Sequence, residues 1–145
     1  DWEYEQFFKE MQAKYPGRFV LCQGFVPELA RKIYGGSDIF LMPSKSEPCG
    51  LSQMVALRYG SIPVVRETGG LKDSITDSGD GKGNGFTFQT YDTQDMLNSV
   101  HRAIYAYNES KDGWKVLVER AMACDNSWGR SANDYIRLYK QLINS

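Results

Sequence analysis

The sequence predicts an α/β domain of the Rossmann-like, three-layer kind, with a parallel sheet and several closing helices. Two apolar runs, residues 38–43 (DIFLMP) and 62–65 (IPVV), have strand length and no polar alternation, so both are expected to be parallel strands buried on both faces. Between them, residues 51–59 place apolar side chains at Leu51, Met54, Val55, Ala56 and Leu57. Gly60 follows, the residue that most readily takes the left-handed conformation ending a helix. Strand, helix and strand in that order make one βαβ unit. Open parallel sheets bind ligands beyond the carboxyl ends of their strands, which here lead into residues 44–50 and 66–70.

The remaining elements follow from periodicity and punctuation. Trp2, Phe7, Phe8, Met11 and Tyr15 recur at near-helical spacing until Pro16 and Gly17 end the run. Residues 18–23, with Phe19 and Val20, are expected to form a short strand. Pro27 suits a first helical turn, opening a helix over 27–34. Residues 77–84 form a glycine-rich stretch expected to be a mobile surface loop, and 85–89 another strand. Asp92 can cap a helix carrying Met96, Leu97, Val100, Ile104 and Tyr107. Trp114, Leu117, Val118, Ala121 and Met122 repeat the pattern. After Asn126 or Ser127 as cap, Trp128, Ala132, Tyr135, Tyr139 and Leu142 repeat it again. No internal repeat, low-complexity tract or linker interrupts residues 1–145, so a single domain is expected.

Composition removes several classes of function. A chain of 145 residues buries roughly 68–70% of its unfolded surface and needs no disulfides. Its three cysteines, Cys22, Cys49 and Cys124, show no metal-ligand spacing, which suits a reducing compartment and favours the cytoplasm. With 17 basic and 18 acidic residues there is no basic field for nucleic acid. No apolar window is long enough for a membrane span, and the opening DWEYEQFFKEM is unlike a signal sequence. A soluble, unprocessed chain or an excised piece is expected. The lone histidine, His101, sits in a strongly periodic segment, so no Ser-His-Asp triad or histidine metal cluster is available. A calcium loop starting at Asp77 or Asp80 would place Phe88 or Tyr91 where the bidentate glutamate belongs, so no metal is expected.

The two loops hold the candidate chemistry. Glu47, Pro48, Cys49 and Gly50 form an elbow between a strand and a helix, where the first free N–H groups of the helix meet the crevice at the strand ends. Such an end carries about half a positive charge, worth roughly 0.3–2 kcal/mol to a bound anion, so phosphate or diphosphate is the expected guest. Gly50 permits close backbone approach and Ser52 adds a hydroxyl. The same residues also read as an ordinary strand-to-helix turn. Thr68, Gly69 and Gly70 form a second candidate amide nest, although glycine pairs more often make plain turns. Phe25, at a strand end on the same edge, could stack on a flat base; core packing is the commoner role for phenylalanine. Elbow and glycine turn are expected to face each other across a cleft.

The segment PSKSEPCGLSQMVALRYGSIPVVRETGGLKDSI resembles the carboxyl-terminal domain of bacterial glycogen synthases and plant-type starch synthases, retaining glucosyltransferases of the GT-B fold. The resemblance runs from the opening helix and YPGRF, through GGSDIFLMPS, to AMACDNSW. EPCGL followed by PVV and TGGL is far more restrictive than any glycine motif alone. The resemblance implies transfer of glucose from ADP-glucose, or UDP-glucose, to the non-reducing end of an α-1,4-glucan, with retention and without an obligatory metal. It implies that Glu47 holds the donor glucosyl group and stabilises the oxocarbenium-like transition state. It further implies that Cys49, Gly50 and Leu51 line the glucosyl and diphosphate site, that Ser52 touches phosphate, and that Phe25 stacks on adenine. Thr68, Gly69 and Gly70 match the family's TGG loop. Front-face attack assisted by the leaving diphosphate is implied, since no carboxylate nucleophile is evident for double displacement.

Two departures matter. Many relatives of this fold have a second glutamate eight residues after the first; Val55 stands there, as is common in the synthase branch. The family's diphosphate-clamping arginine and lysine, and its acceptor-binding domain, are expected to precede Asp1, which would leave this piece nearly inactive alone. A non-catalytic nucleotide-sugar or glucan-binding module, and a GT-B transferase with another donor, remain as alternatives.

Overall fold

The computed structural model describes residues 1–144, which divide into two compact units, Asp1–Ala30 and the described residues from Arg31 onward. In the first, helix α1 (Trp2–Lys14) is capped by the Asp1 carboxylate, which accepts from the Glu3 N–H at 3.4 Å. No residue of α1 is buried; Phe8 stacks on Phe19 with ring centroids 5.9 Å apart. The strand expected over 18–23 does not form. No described strand runs beside it, and an extended segment without a neighbour has no ladder for its N–H and C=O groups. The Leu21 N–H turns instead to the Gln12 Oε1, 2.6 Å away. Helix α2 (Pro27–Gly36) starts at the proline as expected.

The second unit holds strand β1 (Ile39–Met42), helix α3 (Ser52–Tyr59), strand β2 (Ile62–Arg66), helix α4 (Gly69–Ser74), a 3₁₀ turn (Ser78–Asp80) and strand β3 (Phe86–Phe88). Helices α5 (Thr93–Glu109), α6 (Lys111–Met122) and α7 (Trp128–Ile143) close it. The sheet order is β1-β2-β3 and both pairings are parallel, with Ile39 opposite Ile62 and Val64 opposite Phe86. This is the α/β architecture the apolar runs imply. Residues 62–65 of the central strand are wholly buried, but Leu41 of β1 is 44% exposed, so the two-sided burial expected of both strands holds only for β2. An edge strand has one flank without a neighbour, and its faces are covered less completely.

Local chemistry accounts for the boundaries. Gly60 closes α3 in the left-handed conformation, φ 79°, and its N–H reaches Ala56 and Leu57 carbonyls. The Asp92 carboxylate caps α5, accepting from the N–H groups of Gln94 at 2.8 Å and Asp95 at 3.1 Å. Helix α4 starts within the glycine pair itself, at Gly69. Residues 77–84 are more ordered than a free surface loop. Asn84 accepts from the Thr76 N–H at 2.8 Å and donates to the Ser74 carbonyl at 3.0 Å, while Asp77 accepts from Gly79 and Thr87 N–H groups at 2.8 Å each. Leu57, Val64, Leu71, Phe86, Trp114 and Leu117 join one core, so α5 and α6 cover the sheet rather than needing strands between them. Tyr107 meets Trp114 edge to face at 5.2 Å, fastening α5 to α6. No described helix is long and apolar enough to cross a membrane.

Candidate functional site

Because all three strands run the same way, the segments after Met42, Arg66 and Phe88 leave the sheet at one edge. The first carries Glu47 to Gly50, the second Thr68 to Gly70, and they meet backbone to backbone. A Cβ built on Gly69 would lie 1.9 Å from the Glu47 carbonyl oxygen, and one on Gly70 would lie 2.0 Å from that of Cys49. The Gly70 N–H donates to the Pro48 carbonyl at 3.3 Å. The glycine pair therefore permits direct contact between the loops. The expectation of two rims with a cleft between them is corrected: they form one continuous wall, since no side chain separates them.

Eight of the nine sequence-predicted site residues, Glu47, Cys49, Gly50, Leu51, Ser52, Thr68, Gly69 and Gly70, lie on this wall. Phe25 belongs to the first unit and is 93% exposed, so it has no core role there. Glu47 is half-buried, and its carboxylate has no hydrogen-bond or ion-pair partner among the described residues. Leu51 is the N-cap of α3 and offers no side-chain cap. Val55, donating to the Leu51 carbonyl at 3.0 Å, is the first helical residue whose N–H is bonded; those of Ser52, Gln53 and Met54 have no partner among the described residues. The elbow thus carries an unpaired carboxylate at Glu47, and the first turn of α3 that follows it carries unpaired amides.

A crevice of about 590 Å³ runs along this wall, lined by Pro48, Cys49, Leu51 and Gly70 on one side and by Asp125 and Trp128 at the start of α7 on the other. Glu47 is outside its lining. A larger cavity of about 660 Å³ lies wholly along residues 125–137 and touches no predicted site residue, so its size is no guide to the chemistry.

Two positioning groups escaped the sequence reading. The Arg66 guanidinium donates from Nε to the Ser44 carbonyl at 2.9 Å, from Nη2 to the Lys45 carbonyl, and from Nη1 to the Gln89 carbonyl at 3.4 Å. It also lies over the Tyr91 ring at 5.8 Å. One side chain therefore ties together the loops that follow all three strands. An arginine ending a buried parallel strand was the available signal. The other is Gln53, fully buried in the first turn of α3, with Nε2 2.8 Å from the Gly50 carbonyl. Gly50 has φ +74°, and Gln53 Oε1 lies 2.5 Å from where its Cβ would stand. The glycine therefore makes room for a protein side chain, where close approach of a ligand was expected.

Further along the edge, Asp77 meets Arg102 through both carboxylate oxygens. Burial pushes the Asp77 carboxyl up, but hydrogen bonds from Arg102, Thr87 and Gly79 outweigh it and hold the group below its usual value. A carboxylate so fully engaged is structural.

Residues 1–113 match the family described as Glycosyl transferases group 1. The chain belongs to that family. Among glycosyl transferases of this group it is 52% identical, over 145 residues, to the glycogen synthases of Geobacillus thermodenitrificans and Geobacillus stearothermophilus. Each match covers 99% of this chain and 30% of the relative. The catalytic domain of starch synthase IV from Arabidopsis thaliana, solved bound to ADP and acarbose, superposes with a TM-score of 0.83 at 41% identity, covering 97% of this chain and 30% of that one. The chain therefore spans about 30% of the length of these relatives.

Proposed function

We propose that residues 1–145 belong to the carboxyl-terminal, nucleotide-sugar-binding domain of a retaining glucosyltransferase of the glycogen and starch synthase type. The donor is ADP-glucose, or UDP-glucose, and the acceptor is the non-reducing end of an α-1,4-glucan held by a domain outside this chain. The observation that carries the reading is the wall itself: an elbow with an unpaired Glu47 carboxylate, leading into the unpaired first-turn amides of α3 and buttressed by the glycine pair. The 52% identity to glycogen synthases, and a starch synthase solved with ADP and acarbose, support it.

The chemistry suits those groups. When the glycosidic bond to the nucleoside diphosphate breaks, negative charge grows on a phosphate oxygen while the anomeric carbon becomes cationic. Fixed amide dipoles stabilise the first charge and a carboxylate the second, and neither has to reorganise as the charges form. Glu47 holds the glucosyl group and faces the cationic carbon. Cys49, Gly50 and Leu51 line the glucosyl and diphosphate site, Ser52 contacts phosphate, and Thr68, Gly69 and Gly70 fix the elbow from behind.

Calorimetric titration of the complete enzyme with ADP, UDP and their glucose conjugates tests the reading. Saturable binding of one nucleoside diphosphate, with glucosyl transfer from the matching donor to glycogen, is expected. Binding of neither nucleotide would remove the donor site from this chain.

A further inference from the structure

The buried carboxamide of Gln53 is more than packing. Its Nε2 lies 2.8 Å from the Gly50 carbonyl, 3.2 Å from the Cys49 carbonyl and 3.1 Å from the Ser74 hydroxyl. Two of these neighbours are pure acceptors, so the nitrogen end of the amide must face them. Ser74 gives its own hydrogen to the Gly70 carbonyl at 2.6 Å and can accept from Gln53. One side-chain relay therefore joins the elbow to the glycine turn. Gln53 Oε1 has no hydrogen-bond partner although the residue is fully buried. An apolar side chain of the same length would avoid that cost, so filling space does not explain a glutamine here.

Peptide geometry supplies the explanation. No cis bond occurs among the described residues, and in a planar trans peptide the N–H points opposite to the C=O. Drawing the Cys49 and Gly50 carbonyls inward to Gln53 turns the N–H groups of Gly50 and Leu51 the other way, out of the core. Neither N–H has a partner among the described residues. They extend the row of free amides at the start of α3.

We propose that Gln53, with Ser74 behind it, is a positioning residue that aims the Gly50 and Leu51 amides at the leaving diphosphate of the sugar-nucleotide donor. This rests on the donor-site reading above. The relay acts through the backbone and touches no substrate. Its loss blurs the direction of two donors, which lowers turnover and affinity for the diphosphate product without changing how glucan is held.

The test uses the complete enzyme with Gln53→Met, which keeps length and burial but cannot donate, and with Ser74→Ala. Melting temperature, calorimetric affinity for ADP (UDP if that is the nucleotide bound), kcat, and KM for glycogen are measured. Gln53→Met is expected to lower both nucleotide affinity and kcat about tenfold to a hundredfold per folded molecule, with KM for glycogen unchanged; Ser74→Ala shifts the same quantities less. If Gln53→Met does not fold, Ser74→Ala decides by the same readouts. Wild-type affinity and kcat in the folded variant, or losses that match only the unfolded fraction, overturn the proposal. A wild-type enzyme that binds neither nucleotide overturns the donor-site reading and this proposal with it, a failure visible before any variant is made.

Discussion

Gly70 lies so close to Cys49 that a side-chain carbon on it would stand 2.0 Å from the Cys49 carbonyl oxygen. The obstacle is backbone, which cannot rotate aside as a side chain can. Gly70→Ala should therefore push the elbow away from the glycine turn and destabilise the protein by about 1–3 kcal/mol or more. Urea unfolding of wild type and variant measures this, and an unchanged midpoint would show that the loops are not in contact.

Glu47 presents the opposite case. Its carboxylate has no protein partner among the described residues, so Glu47→Gln should leave unfolding stability within about 0.5 kcal/mol of wild type. Under the proposed role, glucosyl transfer by the complete enzyme should fall about 10²–10³-fold. Normal turnover in the folded variant would take Glu47 out of the chemistry.

Arg66 spans three carbonyls with one planar fork, which a lysine cannot reproduce. Arg66→Lys should keep the charge yet loosen residues 43–47, seen as faster amide exchange there. The complete enzyme should lose up to about a hundredfold in kcat/KM, the scale of a misplacement near 1 Å. Unchanged exchange in this loop would show that the arginine does not hold it.

Most of the sheet, and the meeting of the two candidate loops at one edge, were legible in the sequence because their signals are local. Continuous apolar runs read as β1 and β2, Gly60 as the end of α3, and Asp92 as the cap of α5. Strand direction then put Glu47 and Gly70 at one edge. What stayed hidden depends on partners distant in sequence. Residues 18–23 have strand propensity but no described neighbour to pair with. Leu41 looks as buried as Val64 until β1 proves to be at the edge. Gln53 reads as an unremarkable polar residue in a helix, since the carbonyls it holds are set by the fold of the elbow.

Asp77 gives stability a defined pH dependence. Its carboxyl is held below the ordinary aspartate value of about 3.9, so in the acid range the unfolded chain binds the extra proton first. The contribution is complete above that value and is lost as pH falls through the lower, folded one. The pair is partly exposed, with side chains 46% and 29% accessible for Arg102 and Asp77, so its worth is about 1 kcal/mol and weakens with salt. Arg102→Met should flatten the acid limb of unfolding free energy measured from about pH 2 to 6. An acid limb identical to wild type would remove the pair from the account.

Each strand of this sheet meets its neighbour only after an intervening excursion of chain: Ile39 must find Ile62, and Val64 must find Phe86. No hairpin can seed the assembly, so loop closure comes before any ladder is rewarded, and such topologies fold late and slowly. The wall built from the elbow and the glycine turn exists only once the crossover from β1 to β2 has closed. The contact between Gly70 and the Cys49 carbonyl therefore depends on long-range closure of the sheet and not on either loop alone.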